Sequence, residues 1–164
     1  MSIIGIQLTA VISGSFLAGA MMALSLVLIP VFYDTNTDPA HMVIQWHRMY
    51  HYGHFMMPGM AVGTLLLYIS IVVLRRRARK PWSSLAIAGV LTISIVPFTW
   101  VFMESTNCEL FRLVDAIGLG PLDATIAEAN SLVVHWGKLH FIRSLLPLAG
   151  VIRGATVLIS DLEG

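Results

Sequence analysis

Phe55 to Lys80 reads FMMPGMAVGTLLLYISIVVLRRRARK, and the two parts of that line decide the fold class. Residues 55–74 carry no charge, and about 20 apolar residues are enough for a helix to cross the hydrocarbon layer of a bilayer. Arg75, Arg76, Arg77, Arg79 and Lys80 follow at once, five of the ten basic residues in the chain. By the positive-inside rule such a cluster at the end of a span faces the cytosol. One stretch thus supplies both a span and its orientation.

Working outward, residues 6–29, 83–103 and 139–159 satisfy the same length rule. Lipid offers no partner to backbone N–H and C=O groups, so apolar runs of this length without strand alternation must be helices. The composition agrees, since a mean hydropathy of +0.80 with 12% charged residues lies outside the soluble range. The expectation is an all-α, integral membrane four-helix bundle forming a single domain over residues 1–164, with both termini cytosolic.

Pro30 and the turn-rich stretch 34–39 are expected to close the first helix, and Pro81 to separate the second from the third. The second and fourth helices are expected to extend beyond the membrane on the non-cytosolic side, because 42–52 and 124–138 keep helical composition yet are too polar for lipid. Asp123 is the expected N-cap of the later extension. Leu110, Leu113, Val114 and Ile117 recur at i, i+3, i+4 and i+7, the stripe of a short amphipathic helix, which suggests a lid over 109–122.

The first apolar stretch lacks the basic start of a secretory signal and is read as retained. The single cysteine, Cys108, excludes an intramolecular disulfide and cannot alone make a thiolate metal site. The two halves show no similarity, which disfavours a transporter built from repeats. The basic run reads as an anchor to the lipid bilayer, and no nucleic-acid partner is expected. Gly14, Ala18, Gly19 and Met22 share a face that serves either packing within the bundle or a homo-oligomer contact.

The polar residues are not scattered. His47, Tyr50 or His51, and His54 fall on one face of the second helix, with Pro58 a turn further. Trp136, His140, Arg143 and Pro147 make the same kind of stripe on the fourth, and Thr99, Met103 and Thr106 or Asn107 on the third. All three stripes fall at the non-cytosolic ends. An arginine inside a span costs about 2.5 to 3.5 kcal/mol to insert near the centre, so Arg143 reads as functional rather than incidental. The competing use for His54 and His140 is interhelical hydrogen bonding.

An imidazole can take a proton from an activated carbon acid, and a guanidinium can stabilise the resulting enolate or phenolate. Apolar walls would suit a planar lipophilic substrate. The alternative chemistry is metal binding, with His47, His51, His54 and His140 as ligands to copper, iron or a haem in a redox membrane protein. A non-enzymatic carrier of hydrophobic intermediates is a third reading.

Several of these residues also carry a family resemblance. Val96-Pro97-Phe98-Thr99 followed by Thr106-Asn107, the stretch WGKLHFIRSLLPL over 136–148, and Gln45-Trp46 with Tyr50, Gly53, His54 and Pro58 resemble the motifs of the anthrone oxygenase family. The resemblance covers nearly the whole chain and is strongest in the third and fourth helices. It implies a membrane enzyme, in the endoplasmic reticulum or a related endomembrane, that oxidises an anthrone to an anthraquinone with dioxygen during aromatic polyketide biosynthesis. On that reading His54 or His140 is the base and Arg143 holds the oxyanion. Tyr50, Thr99 and Asn107 would bond the substrate's oxygens, and Phe98 and Trp136 would form stacking walls. An anthrone is acidic enough that no cofactor is required.

Overall fold

The computed structural model describes residues 2–163, and among them there is no strand. Four helical runs are long and apolar enough to cross a membrane: Ile3–Thr35, Pro39–Arg77, Ser83–Ile117 and Ile126–Glu163. The all-α class expected from the sequence is the one observed. At 1.5 Å per residue the runs are about 50 to 58 Å long, against roughly 30 Å for a hydrocarbon layer. Each run is thus longer than the minimum that a span needs.

The first run consists of α1 (Ile3–Ala23), a π-helical turn (Leu24–Leu28) and α2 (Ile29–Thr35). Pro30 does not close it, contrary to expectation, but lies at the start of α2. Proline lacks an N–H and crowds the carbonyl four residues back, and the widened turn just before it accommodates both defects. The break comes at Asn36, whose Nδ2 donates to the Phe32 carbonyl at 2.8 Å and to Gln45 Oε1 at 2.9 Å.

The second run is α3 (Pro39–Arg77), with Pro58 in its interior. It ends in a Schellman closure: Lys80 N–H donates to the Arg75 carbonyl at 2.9 Å and Arg79 N–H to the Arg76 carbonyl at 3.1 Å. Arg79 holds the left-handed position, φ 53°, that glycine usually fills.

The third run joins α4 (Ser83–Ile93), α5 (Ile95–Phe98), a second π-helical turn (Thr99–Met103) and α6 (Glu104–Ile117). The stretch expected to form a lid at 109–122 is instead largely the end of this run, since no glycine or proline separates it from the span. Its stripe is used inside the protein: Leu110 and Leu113 are buried, with Val114 and Ile117 packed against the same core. The fourth run, α7 (Ile126–Glu163), is capped by Thr125 and not by the expected Asp123. Glu128 N–H donates to Thr125 Oγ1 at 3.2 Å while Thr125 N–H donates to Glu128 Oε2 at 2.8 Å, a reciprocal capping box.

Two compact units are recognisable in the contacts. The first holds residues up to Ala20, Met57–Val96, and those from Ser144 onward. It is packed through small residues: a Cβ on Gly14 would stand 2.7 Å from Val151 Cγ2, and one on Gly89 would stand 3.1 Å from Leu65 Cδ1. Gly14 and Ala18 thus serve packing within this unit, while Gly19 meets nothing within 4 Å. Arg75 is 5% exposed and is not part of a free basic surface. Its guanidinium pairs with the Asp161 carboxylate, and its Nε donates to the Pro81 carbonyl at 2.6 Å.

Gly150 and Gly154 bring α7 against α4 and the Tyr68 ring of α3. A Cβ on Gly150 would lie 2.7 Å from the Ala88 backbone carbonyl and 2.9 Å from Thr92 Oγ1. Backbone cannot rotate away, so Gly150→Ala is expected to cost about 1 to 3 kcal/mol, the usual range for overpacking. Thermal denaturation in detergent checks this, with Gly63→Ala, where the new Cβ meets nothing within 4 Å, as the neutral control.

The second unit comprises Met21–Met56 and Pro97–Arg143. Its core is centred on Trp46, which is fully buried with Met42, Val43, Met103, Leu110 and Val133. Trp46 meets Phe111 edge-on at 5.3 Å and Trp136 at 6.1 Å. A Cβ on Gly137 would stand 3.0 Å from Ile29 Cγ2, so this glycine lets α7 approach α2 closely.

Candidate active site

All eight residues expected at the site belong to the second unit. Four of them form the α7 group with its partners. Trp136 and His140, one turn apart on α7, stack with ring centroids 4.6 Å apart. His140 is 1% exposed, its Nδ1 lies 3.0 Å from Ser25 Oγ, and the Met21 backbone is a further partner of the ring. One turn on, Arg143 Nη1 donates to Thr99 Oγ1 at 2.6 Å. Its Nε is buried without a hydrogen-bond partner, and among the described residues Arg143 belongs to neither ion pair.

The two hydroxyls have a common origin. Ser25 lies in the first π-helical turn and Thr99 in the second. A π-turn inserts an extra residue and rotates the side chains that follow, which is why such turns recur where a helix must aim a polar group. Here one aims at the imidazole of α7 and the other at its guanidinium.

The α3 stripe is only partly assembled as expected. Tyr50 and His54 stack nearly parallel, 11° between planes and 5.4 Å between centroids. His54 Nδ1 lies 3.2 Å from the Tyr50 carbonyl. A carbonyl only accepts, so Nδ1 carries the proton and Nε2 keeps the lone pair. His54 is half-buried, whereas His51 is exposed and His47 packs edge-on against Phe111 at 5.8 Å. The Tyr50 phenol is within electrostatic reach of Arg143 and of Glu104.

Asn107 and Trp136 are bonded to each other. Trp136 Nε1 donates to Asn107 Oδ1 at 3.0 Å, and both residues are 3% exposed. A buried pair bonded to itself braces α6 against α7. Phe98 is half-buried and packs on Phe102, 4.7 Å between centroids. Ser25 is the residue that the sequence pattern missed. Among the described residues no group of three or more histidine, cysteine, aspartate or glutamate side chains is placed to hold a metal ion.

The family is decided by comparison with known proteins. A model of the anthrone oxygenase family matches residues 46–152, which include every candidate residue except Ser25. The chain belongs to the anthrone oxygenase family. It is 52% identical to the anthrone oxygenase AgnL2 of Paecilomyces divaricatus, over 94% of this chain and 96% of that one. It is 47% identical to the anthrone oxygenase dmxR16 of a Cryptosporiopsis species, over 98% and 92%. A noranthrone monooxygenase of Aspergillus flavus is 41% identical over 92% of this chain and 71% of its own length. No solved structure matches the chain.

Proposed function

We propose that this protein oxidises an anthrone at its central methylene to an anthraquinone with dioxygen, as the names of its relatives suggest, within aromatic polyketide biosynthesis. The observation that carries the mechanism is Tyr50, stacked on His54 and within electrostatic reach of Arg143. On this reading His54 supplies a lone-pair nitrogen and Arg143, in neither ion pair among the described residues, supplies the cation.

His54 Nε2 takes one methylene proton. The carbanion is delocalised onto the ketone opposite as a phenolate-like oxyanion, which the free edge of Arg143 stabilises. The carbon then gives electrons to dioxygen and forms a C–O bond, and the peroxide recovers the proton from the imidazolium. Removal of the second proton from the same carbon breaks the O–O bond, leaving a carbonyl and hydroxide. The imidazolium protonates the hydroxide to water, which restores the base. Anthrone and dioxygen thus give anthraquinone and water, and the substrate carbon supplies all four electrons, so the balance requires no added reductant.

His140 has a supporting part in this scheme, because its Nδ1 is engaged by Ser25 and its face by Trp136. It holds α7 so that Arg143 reaches Thr99.

Oxygen uptake by detergent-purified protein given an emodin-type anthrone tests the reading, with copper and iron measured on the same sample. The expected result is one dioxygen consumed per anthrone, independent of metal content, with one labelled atom from heavy-isotope dioxygen in the new carbonyl. Turnover proportional to copper or iron would move the histidines from base to ligand. Absence of turnover with every anthrone would end the reading in favour of a carrier.

A further inference from the structure

A cleft of about 800 Å³ opens in the second unit between residues 25–34 and 134–142. Its volume falls in the range of about 300 to 1,000 Å³ that small-molecule sites occupy. Leu26, Ile29, Pro30, Val134, Phe141 and Ile142 make its walls apolar. Its polar groups are few and placed apart. Ser25, the hydrogen-bond partner of His140, lines the interior, while the exposed Asp34 and Lys138 line the rim. Among the described residues Lys138 and Asp34 are in neither ion pair, so both heads remain available.

The chemistry of these groups selects an occupant. A flat polycyclic face suits the apolar walls, a phenolic O–H can donate to Asp34, and a ketone or phenolate oxygen can accept from Lys138. A lipid would satisfy the walls and, through its anionic head, Lys138, but brings no proton for Asp34. Ser25 has one proton and two lone pairs, so its bond to His140 leaves it a further position for a ligand oxygen.

We propose that this cleft is the port at which the phenolic tricyclic ketone binds, with Lys138 and Asp34 reading its oxygens at the rim and Ser25 linking it to the His140 side of the site. The proposal rests on the functional reading above for the class of ligand, but its test is binding and not turnover.

The hydroxyanthraquinone emodin, coloured and stable to oxygen, is titrated into the purified full-length protein in lipid nanodiscs, with oleic acid as the competing lipid probe. Val134→Trp, which fills the cleft, is expected to weaken emodin binding about ten-fold or more. Lys138→Gln, at an exposed position where folding is not in question, is expected to weaken it about five-fold. Gly63→Ala, in the first unit, where the new Cβ meets nothing within 4 Å, is expected to bind emodin like the parent protein. Unchanged emodin affinity in Lys138→Gln, or displacement of emodin by equimolar oleic acid, would overturn the proposal even if anthrone turnover were normal. Retained binding with loss at both cleft variants would support it even if no anthrone were turned over, so the two readings fail separately.

Discussion

Replacing His54 by alanine is expected to lower kcat with an anthrone by about a hundred- to ten-thousand-fold, the usual contribution of a positioned general base. The Tyr50 carbonyl, one turn back on α3, accepts from Nδ1 and fixes the tautomer, which leaves Nε2 as a proton acceptor. The Tyr50 ring stacked on the imidazole fixes its plane. Neither contact depends on the reaction, so removing the side chain should leave the helix and the thermal stability nearly intact. Added imidazole should restore part of the rate, and a deuterated methylene should slow the parent enzyme. His140→Ala should behave differently. Its imidazole is buried against Trp136 and Ser25, and losing it should reduce the yield of folded protein before it reduces kcat. Parent-like turnover by a folded His54→Ala protein would remove this residue from the mechanism.

The residues that were legible in the sequence are those that repeat at helical spacing. Four apolar stretches gave the four runs, and the i, i+4, i+7 spacing put Trp136, His140 and Arg143 on one stripe because α7 is unbroken through them. What was not legible depends on partners far along the chain or on local widening of a helix. Ser25 is a lone serine in an apolar stretch, and its partner stands 115 residues later. Nothing in the spacing of the first helix singles it out from Ser13 or Ser15. The π-helical turns have no residue pattern of their own, although Pro30 and Pro97 beside them are cues that a regular ladder must give way. The pairing of Arg75 with Asp161 was hidden by the run that contains it, since charge counting treats five basic residues alike. The Thr125-x-x-Glu128 capping box and the Gly150-x-x-x-Gly154 pair, by contrast, do have sequence spacings of their own. The lid expectation rests on the stripe of residues 110–117 alone. An amphipathic stripe states that one face must be covered, but not by what, and here Trp46 and Phe111 share the core that covers it.

Arg143→Met is expected to cost about 3 to 4 kcal/mol of transition-state stabilisation, or roughly a hundred- to thousand-fold in kcat, as for loss of an oxyanion donor. Methionine keeps the length and most of the volume, so the change removes charge and donors rather than packing. In the structure the guanidinium is held at one corner by Thr99 Oγ1 and leaves Nε buried and unpaired. A buried donor without a partner is costly in the resting protein, and that cost is recovered only when an acceptor arrives. An oxyanion that appears during deprotonation is such an acceptor, which is why the loss should fall on kcat more than on KM. Arg143→Lys would keep the charge without the planar fork and should recover only part of the rate. Thr99→Val, which frees Nη1 but leaves the cation, should cost about ten-fold or less. If instead Arg143 only ties α7 to the π-helical turn, Thr99→Val and Arg143→Met should lower thermal stability by similar amounts and leave the turnover of the folded fraction unchanged. Kinetics on the folded fraction, beside a melting curve for each variant, separate an arginine that receives charge from one that only joins two helices.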